Sequence, residues 1–167
     1  MAETEKNGSL ELAVLEYEDV DELAAIMKRS FDCDSMKHLE KTGGPPGYEN
    51  GDFIRKWCFI KGASSFKILW NGSIIGSITV FINPATNHNH MGNFFIEPEL
   101  HGQGIGAGVW KQIEERYPQT RRWSTETIWY STYNHYFYVV KCGFQIIRID
   151  HPHNNPQAQY HMEKVMN

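Results

Sequence analysis

Glycine recurs at alternate positions in the stretch "IEPELHGQGIGAG", residues 96–108. The residues that follow repeat an apolar side chain every four positions, which is typical of one face of a helix. Small residues at a helix N-terminus leave successive backbone N–H groups bare, with the positive end of the helix dipole behind them. The chemistry that this pattern predicts is the binding of a phosphate or pyrophosphate, and therefore an anionic cofactor. The four glycines are Gly102, Gly104, Gly106 and Gly108.

Other glycine-rich motifs need to be weighed against this one. Gly102-x-Gly104-x-x-Ala107 fits a dinucleotide fingerprint, but that fingerprint places glycine directly after a strand of a doubly wound parallel sheet. Here "EPELH" intervenes, and hairpin-like strands precede it. A P-loop is excluded because no Gly-Lys-Ser/Thr triplet opens the helix. A turn that binds no ligand stays open, although Gly106 and Gly108 inside the helix would each cost about 1 kcal/mol relative to alanine.

A second group of polar residues lies in "YNHYFYVVKCGF", residues 133–144. Asn134, Tyr138 and Lys141 are spaced by four and three, which places them on one face of a helix. This spacing predicts that Tyr138 is separated from its aromatic neighbours and lies beside Asn134 and Lys141. The opposite arc is predicted to face the core, and its members are Tyr133, Tyr136, Phe137 and Val140.

Strands and helices alternate along the chain without repeats. A two-residue turn at Asn71-Gly72, the pair favoured in type I′ turns, joins two β-rich runs into a hairpin. Asp19 is predicted to cap the first helix, and Gly143 follows the last. The predicted strands are residues 10–17, 65–70, 73–82, 90–96, 121–129, 144–150 and 159–166. The predicted helices are residues 19–31, 52–60, 105–117 and 133–142.

Length and composition limit the class of protein. A chain of 167 residues suits a single domain, 1–167, of which we expect residues 1–9 to be flexible. The formal net charge of -4 gives no electrostatic footprint for nucleic acid. No apolar run approaches the roughly 20 residues that span a bilayer. The N-terminus shows no secretory signal, so we expect a cytoplasmic protein without a membrane partner.

The histidines and cysteines indicate neither a metal site nor a disulfide framework. His88 and His90 are two residues apart, as are His151 and His153, but no third ligand is spaced to complete a site. Asn and Pro crowd both stretches, as in solvated loops. The three cysteines are scattered and odd in number. We therefore expect no metal and no disulfide.

The motif Ile96-x-Pro98-Glu99-x-His101-Gly102-x-Gly104-Ile105-Gly106 resembles the acetyl-CoA motif of the GNAT family of N-acetyltransferases, V-x-P-x-x-R/Q-G-x-G-I-G. The order of elements agrees with the family, and the resemblance covers about residues 10 to 165. It implies an α+β (mixed α/β) three-layer fold, with a central, mostly antiparallel, splayed sheet of six to seven strands flanked by about four helices. His101 stands where the family usually has Arg or Gln, a change that we expect to alter affinity and not the identity of the cofactor.

The resemblance implies acetyl-CoA as cosubstrate, and no metal. Main-chain groups around Phe95 and Ile96 would hold the pantetheine arm and polarise the thioester carbonyl, a step in which a preorganised N–H stabilises the oxyanion. His101 would stack on or hydrogen-bond to the phosphates, and Asn134 and Lys141 would contact the cofactor from the last helix. The pyrophosphate would be held by residues 102–107, which are Gly102, Gln103, Gly104, Ile105, Gly106 and Ala107.

The resemblance also implies a tyrosine that protonates the departing CoA thiolate. Tyr138 is the candidate, because a proton moves from a phenol of pKa about 10 to a thiolate near 8.5 at a cost of only about 2 kcal/mol. In the family this tyrosine usually lies five residues before the final Phe. Here Tyr138 lies six residues before Phe144, and Val139 takes the usual position. The alternative is a tyrosine that only packs beside the cofactor.

An amine that arrives as ammonium also needs a general base. The candidates are Glu126 in "WSTETIW" and Glu97 beside the motif strand, acting directly or through water. The alternative for both residues is a surface carboxylate at the end of a strand that does not act as a base.

The predicted activity is direct transfer of an acetyl group to a primary amine in a ternary complex, and a non-catalytic acetyl-CoA sensor is the alternative. No cysteine stands in a recognisable nucleophile context, which agrees with direct transfer. The resemblance implies that the loop 41–52 and the region after the first helix form the acceptor wall. They carry Tyr48, Glu49 and Asp52 near Trp57, which suit a cationic amine, either a small molecule or a peptide. The sequence does not choose between these amines. Relatives are often dimers, so the resemblance suggests a homodimer.

Overall fold

A seven-stranded sheet organises the protein. The computed structural model describes residues 8–151 and 156–167. The strands stand in the order β1-β2-β3-β4-β5-β7-β6, and every neighbouring pair is antiparallel except β4 and β5, which are parallel. This mostly antiparallel sheet differs from the doubly wound sheet that a dinucleotide fingerprint requires. The strands are β1 (Leu10–Val14), β2 (Ala63–Trp70), β3 (Ser73–Phe81), β4 (His88–Ile96), β5 (Arg122–Ile128), β6 (Gln145–Asp150) and β7 (Gln159–Val165).

Among the described residues, four α-helices flank the sheet. They are α1 (Val20–Leu39), α2 (Asp52–Trp57), α3 (Ile105–Arg116) and α4 (Thr132–Tyr136). The last helix continues as a wider π-helical segment, Phe137–Lys141, in which the backbone bonds span one residue more than in an α-helix. Within the described residues, no helix has both the length and the apolar character to cross a membrane.

The predicted α+β fold with its splayed sheet is confirmed, and most element boundaries shift by only a few residues. Asn71 and Gly72 both have positive φ, 52° and 83°, as the predicted type I′ turn requires. The largest difference is α1, which ends at Leu39 and not at residue 31. Asp19 precedes α1 but makes no side-chain capping bond to it. The first seven residues and His153 lie outside the described residues, so the structure does not bear on the predictions made for them.

Apolar side chains pack on both faces of the sheet. On one face, which we call the α3 face, the ring of Trp110 from α3 meets Trp123 of β5 at 5.1 Å. On the other, which we call the α1 face, Leu23 and Met27 of α1 pack with Phe95 of β4. Both clusters consist of buried apolar side chains, so burial on two sides holds the sheet between its helical layers.

The sheet opens between β4 and β5. Their pairing ends where His90 lies opposite Ser124. A bulge follows in β4. Val80 of β3 pairs with Met91 and Thr79 pairs with Asn93, so Gly92 has no partner on β3. Bulges bend a strand and occur near active sites. The edge of β4 beyond His90 therefore turns away from β5 and leaves a V-shaped gap.

Candidate active site

A cavity of about 310 Å³ lies at the carboxyl end of β4. It is bounded by α1, by the loop and first turn of α3, and by α4 with its π-helical continuation. Phe94, Phe95 and Ile96, at the end of β4, form its floor. The free edge of the splayed strand and the glycine-rich loop therefore open into the same space.

Two of the glycines are required by backbone conformation. Gly102 and Gly104 have φ of 76° and 81°, in the left-handed region that L-residues avoid. Gly104 immediately precedes α3, a helix of 12 residues. Both glycines line the cavity, so the N-terminus of α3 faces it with its bare amides and its positive dipole end.

The other two glycines lie at close packing contacts. A methyl group on Gly106 would lie 3.0 Å from the ring of Phe137, and one on Gly108 would lie 3.0 Å from Leu10. Their smallness therefore lets α3 approach the last helical segment and β1. This contact explains why two helix-disfavouring residues stand in the first turns of α3.

His101 joins the end of β4 to α4. Its Nε2 donates to the Ile96 carbonyl at 2.9 Å, and its ring stacks on Tyr133 with centroids 5.1 Å apart. Burial lowers the pKa of His101, which favours a neutral imidazole where the family usually has Arg or Gln. The Ile96 carbonyl, predicted to hold pantetheine, thus already accepts one hydrogen bond from within the protein.

The predicted trio on the last helix does line one cavity. Asn134, Tyr138 and Lys141 all contribute to its wall. Asn134 is held there by a 3.3 Å bond from its Nδ2 to Thr127 Oγ1 of β5. The Lys141 ammonium lies 5.8 Å from the centre of the Tyr136 ring.

Phe137 packs against the core as predicted, but the environments predicted for Tyr133, Tyr136, Tyr138 and Val140 are wrong. Tyr133, Tyr136 and Val140 are 40%, 54% and 58% exposed, although their spacing predicts a place in the core. Tyr138 is buried instead, and its ring lies 5.2 Å from Phe137 and 5.9 Å from that of Phe144. The π-helical segment, Phe137–Lys141, changes the angular positions of Tyr138 and Val140, on which the prediction for these two residues depends.

Burial also defines the chemical state of Tyr138. Removal from water disfavours the phenolate and raises the pKa of the Tyr138 phenol. The group therefore stays protonated through the physiological range, as a proton donor must.

Several predicted site residues lie outside the cavity wall. Ile105 is buried in the core on the α3 face, and Gln103 is exposed, with its amide donating to the Glu99 carbonyl at 3.3 Å. Glu126 lies on the α1 face of β5, 3.4 Å from His161 Nδ1. Glu97 is held by Arg29 in a two-bond ion pair of 2.7 and 2.8 Å, which leaves its carboxylate poorly placed to act as a base.

The predicted acceptor wall is also displaced. Tyr48 is buried and donates to Asp32 at 2.7 Å, while Asp52 and Trp57 line a separate depression. The cavity is instead walled by the second half of α1, most of which lies beyond the predicted end of this helix at residue 31. The α1 residues that line it are Ser30, Phe31, Cys33, Asp34 and Lys37. A signal for this extension is the Asp34–His38 pair at helical spacing, 3.3 Å apart in the structure.

The spaced histidines on β4 do not converge on a metal centre in the described part of the chain. His88 lies 3.1 Å from an Arg122 nitrogen, and His90 lies 2.8 Å from Ser124 Oγ. Residues 8–151 and 156–167 contain no cluster of three or more His, Cys, Asp or Glu side chains placed to hold a metal.

Cys33 gives a test of this cavity. We expect a maleimide to label Cys33 first, because Cys58 and Cys142 are buried and burial raises the pKa of Cys142 to about 12. Saturating acetyl-CoA should slow labelling of Cys33 about tenfold, since it occupies the space that the thiol faces. Peptide mass spectrometry after timed quenching measures both rates. Equal labelling with and without acetyl-CoA would place the ligand elsewhere.

The comparisons with known proteins agree with this geometry. The family model described as "Acetyltransferase (GNAT) family" matches residues 26–144. The chain belongs to the GNAT acetyltransferase family. A relative, the protein YrkN of Bacillus subtilis (strain 168), is 45% identical over 148 residues, which cover 86% of this chain and 79% of YrkN.

Solved structures of GNAT acetyltransferases share the fold. The PaiA N-acetyltransferase of Thermoplasma acidophilum, in complex with coenzyme A, has a TM-score of 0.71 at 16% identity and covers 95% of this chain and 99% of its own. The spermidine N-acetyltransferase of Vibrio cholerae, in complex with CoA and spermine, has a TM-score of 0.67 at 15% identity and covers 93% and 95%. At these identities the likeness concerns the fold.

Proposed function

We propose that the protein is an acetyl-CoA-dependent N-acetyltransferase that moves the acetyl group directly to a primary amine. The observation that carries the proposal is the shared cavity, into which both the unpaired edge of β4 and the N-terminus of α3 open. A strand edge offers hydrogen bonds to an amide-containing arm, and a helix N-terminus offers them to phosphates. Acetyl-CoA carries both chemical features.

The lining residues fit the cosubstrate. Phe95 and Ile96 would hold the pantetheine arm, with Asn134 and Lys141 on the opposite wall. The loop residues 102–107 would hold the pyrophosphate through their backbone amides, with His101 fixed against Tyr133 at the rim. Acetyl-CoA supplies an activated acyl group, and a preorganised N–H at the β4 edge would stabilise the oxyanion that forms when an amine attacks it.

In this proposal, Tyr138 donates a proton to the departing CoA thiolate. Its raised pKa makes the transfer harder than in water, where the difference from a thiol is about 2 kcal/mol. The same dry surroundings also raise the pKa of the CoA thiol, so burial raises the pKa values of the proton donor and the proton acceptor together. Both groups would be desolvated together in the closed ternary complex.

A cationic amine suits the acidic side chains of the site. Asp34 lines the cavity, and Glu126 lies on the α1 face of the neighbouring strand with nearly half of its side chain exposed. Both carboxylates would attract an ammonium group. The acceptor class is therefore a small-molecule or peptide primary amine, in line with the amine named for the Vibrio cholerae enzyme of similar fold.

Calorimetric titration with acetyl-CoA and CoA, followed by a thiol-release assay with a panel of primary amines, tests this function. Binding with amine-dependent CoA release supports the transferase. Binding without release favours the alternative, an acetyl-CoA sensor, for which the valine at position 139 and the buried ring of Tyr138 would be the structural reasons. Failure to bind acetyl-CoA would contradict both.

A further inference from the structure

His90 lies at the point where β4 and β5 separate. It is the last β4 residue paired with β5, and the bulge at Gly92 follows. Met91 lies opposite Val80, a residue of the core on the α3 face, so the alternation of a strand places His90 on the α1 face. His90 therefore stands at the vertex of the V-shaped gap, on the side of the sheet opposite to α3.

The two nitrogens of this imidazole differ in their surroundings. His90 Nδ1 lies 2.8 Å from Ser124 Oγ, and the ring of Phe81 lies 6.4 Å away on β3. Within the described part of the chain, no hydrogen-bond partner is found for Nε2. If Nδ1 donates to Ser124, Nε2 keeps a free lone pair, which is the tautomer that a proton acceptor needs.

The electrostatic surroundings keep this imidazole ready to accept a proton. Burial lowers the pKa of His90, Glu126 acts against that decrease, and His161 adds to it. The neutral form therefore predominates at neutral pH. The strand register places further charged or titratable side chains on the α1 face with His90. They are His88, Arg122, Arg148, Asp150 and Glu163.

Resting on the proposed function, we propose that His90 is the general base that removes a proton from the acceptor ammonium group. Nε2 takes one proton, and the neutral amine then attacks the thioester carbon. The new C–N bond forms as the C–S bond breaks, and CoA leaves as the thiolate. The thiolate takes its proton from Tyr138, the second proton lost by the nitrogen passes through water to restore the Tyr138 phenol, and His90 returns its own proton to solvent.

The two carboxylates suggested by the sequence fit this role less well. Glu97 is bound by Arg29 through two short bonds. Glu126 lies two residues beyond Ser124 on the same face, beside His161. Glu126 therefore attracts and orients the ammonium group, and His90, at the vertex between the strands, accepts its proton.

Nitrogen NMR of the histidine side chains tests the protonation state without turnover. We expect wild-type His90 to be neutral at neutral pH, with its proton on Nδ1, and to titrate below the usual histidine value of about 6.5. Ser124→Ala should remove the preference for this tautomer. A neutral His90 with its proton on Nε2 in the wild-type protein would overturn the assignment.

Kinetics test the catalytic role. His90→Gln should lower kcat/KM about tenfold at neutral pH, with recovery toward the wild-type rate at about pH 10, where the amine has lost its proton unaided. His88→Gln is the matched control, because its exposed side chain lies on the same strand and face without reaching the vertex. The affinity for CoA should be equal in all three proteins.

The outcomes separate this proposal from the proposed function. An unchanged pH profile in folded His90→Gln overturns the role of His90 and leaves the transferase standing. Should His90→Gln fail to fold, as a thermal melt would show, His90→Asn takes its place with the same expected loss. A wild-type protein that binds acetyl-CoA but acetylates no amine overturns the proposed function, and the base with it.

Discussion

Replacing Gly104 by valine should weaken binding of CoA about 100-fold, because the change disturbs the amides that face the phosphates. Gly104 has φ of 81° and immediately precedes α3. A β-branched residue resists the left-handed conformation, which costs an L-residue about 1–2 kcal/mol. The backbone would relax toward negative φ and turn the N–H groups of the loop away from the cavity.

Gly72→Val is the matched control for this change. Gly72 has φ of 83°, and a methyl group added there would point into open space, as it would at Gly104. It lies in the remote β2–β3 hairpin, so both variants should lose similar stability, about 1–2 kcal/mol. Calorimetric titration with CoA and thermal unfolding measure the two effects. Equal CoA affinity in both variants would show that the loop does not hold the phosphates.

Replacing Tyr138 by phenylalanine should lower kcat about 100-fold while leaving the affinity for CoA unchanged. The phenol is the buried donor that lines the cavity beside Asn134 and Lys141, and phenylalanine keeps its ring contacts with Phe137 and Phe144. Because burial raises the pKa of Tyr138, the wild-type rate should not fall through loss of this proton until the pH exceeds the usual tyrosine value of about 10.

Tyr117→Phe provides the control for the loss of a phenol. The Tyr117 ring packs on Trp123 at 6.2 Å in the same hydrophobic cluster, and it does not line the cavity. Initial rates at saturating acetyl-CoA, combined with calorimetric CoA affinities, compare the two variants. A Tyr138→Phe protein with the wild-type kcat would leave Tyr138 as a packing residue, and the proton would then come from solvent.

Short-range patterns are sufficient for much of the fold. The Asn71-Gly72 turn, the strand periods and the glycine-rich loop each depend on residues close together in sequence, so their local structure can be predicted. The predicted end of α1 is too early because its last turns carry polar residues, such as Asp34 and Lys37, whose role is to line the cavity. Periodicity of apolar residues gives no signal for such a wall.

The last helix shows why side-chain positions are harder to predict than elements. The predicted positions from Asn134 to Lys141 require a regular α-helix, whereas the chain changes to π-helical geometry at Phe137. The three polar residues still reach the cavity, but Tyr138 enters the aromatic core while Val140 is exposed. A local change in winding shifts every following side chain around the axis, and sequence spacing does not record it.

By itself, the sequence determined the order of elements, the left-handed glycines and the small residues at the start of α3, because these follow from backbone sterics and local periodicity. Only the tertiary structure decided that α1 walls the cavity, that Arg29 pairs with Glu97 and that His90 meets Ser124. Each of those contacts joins residues more than 30 positions apart. They arise from strand register and helix packing, which are settled when the whole sheet assembles.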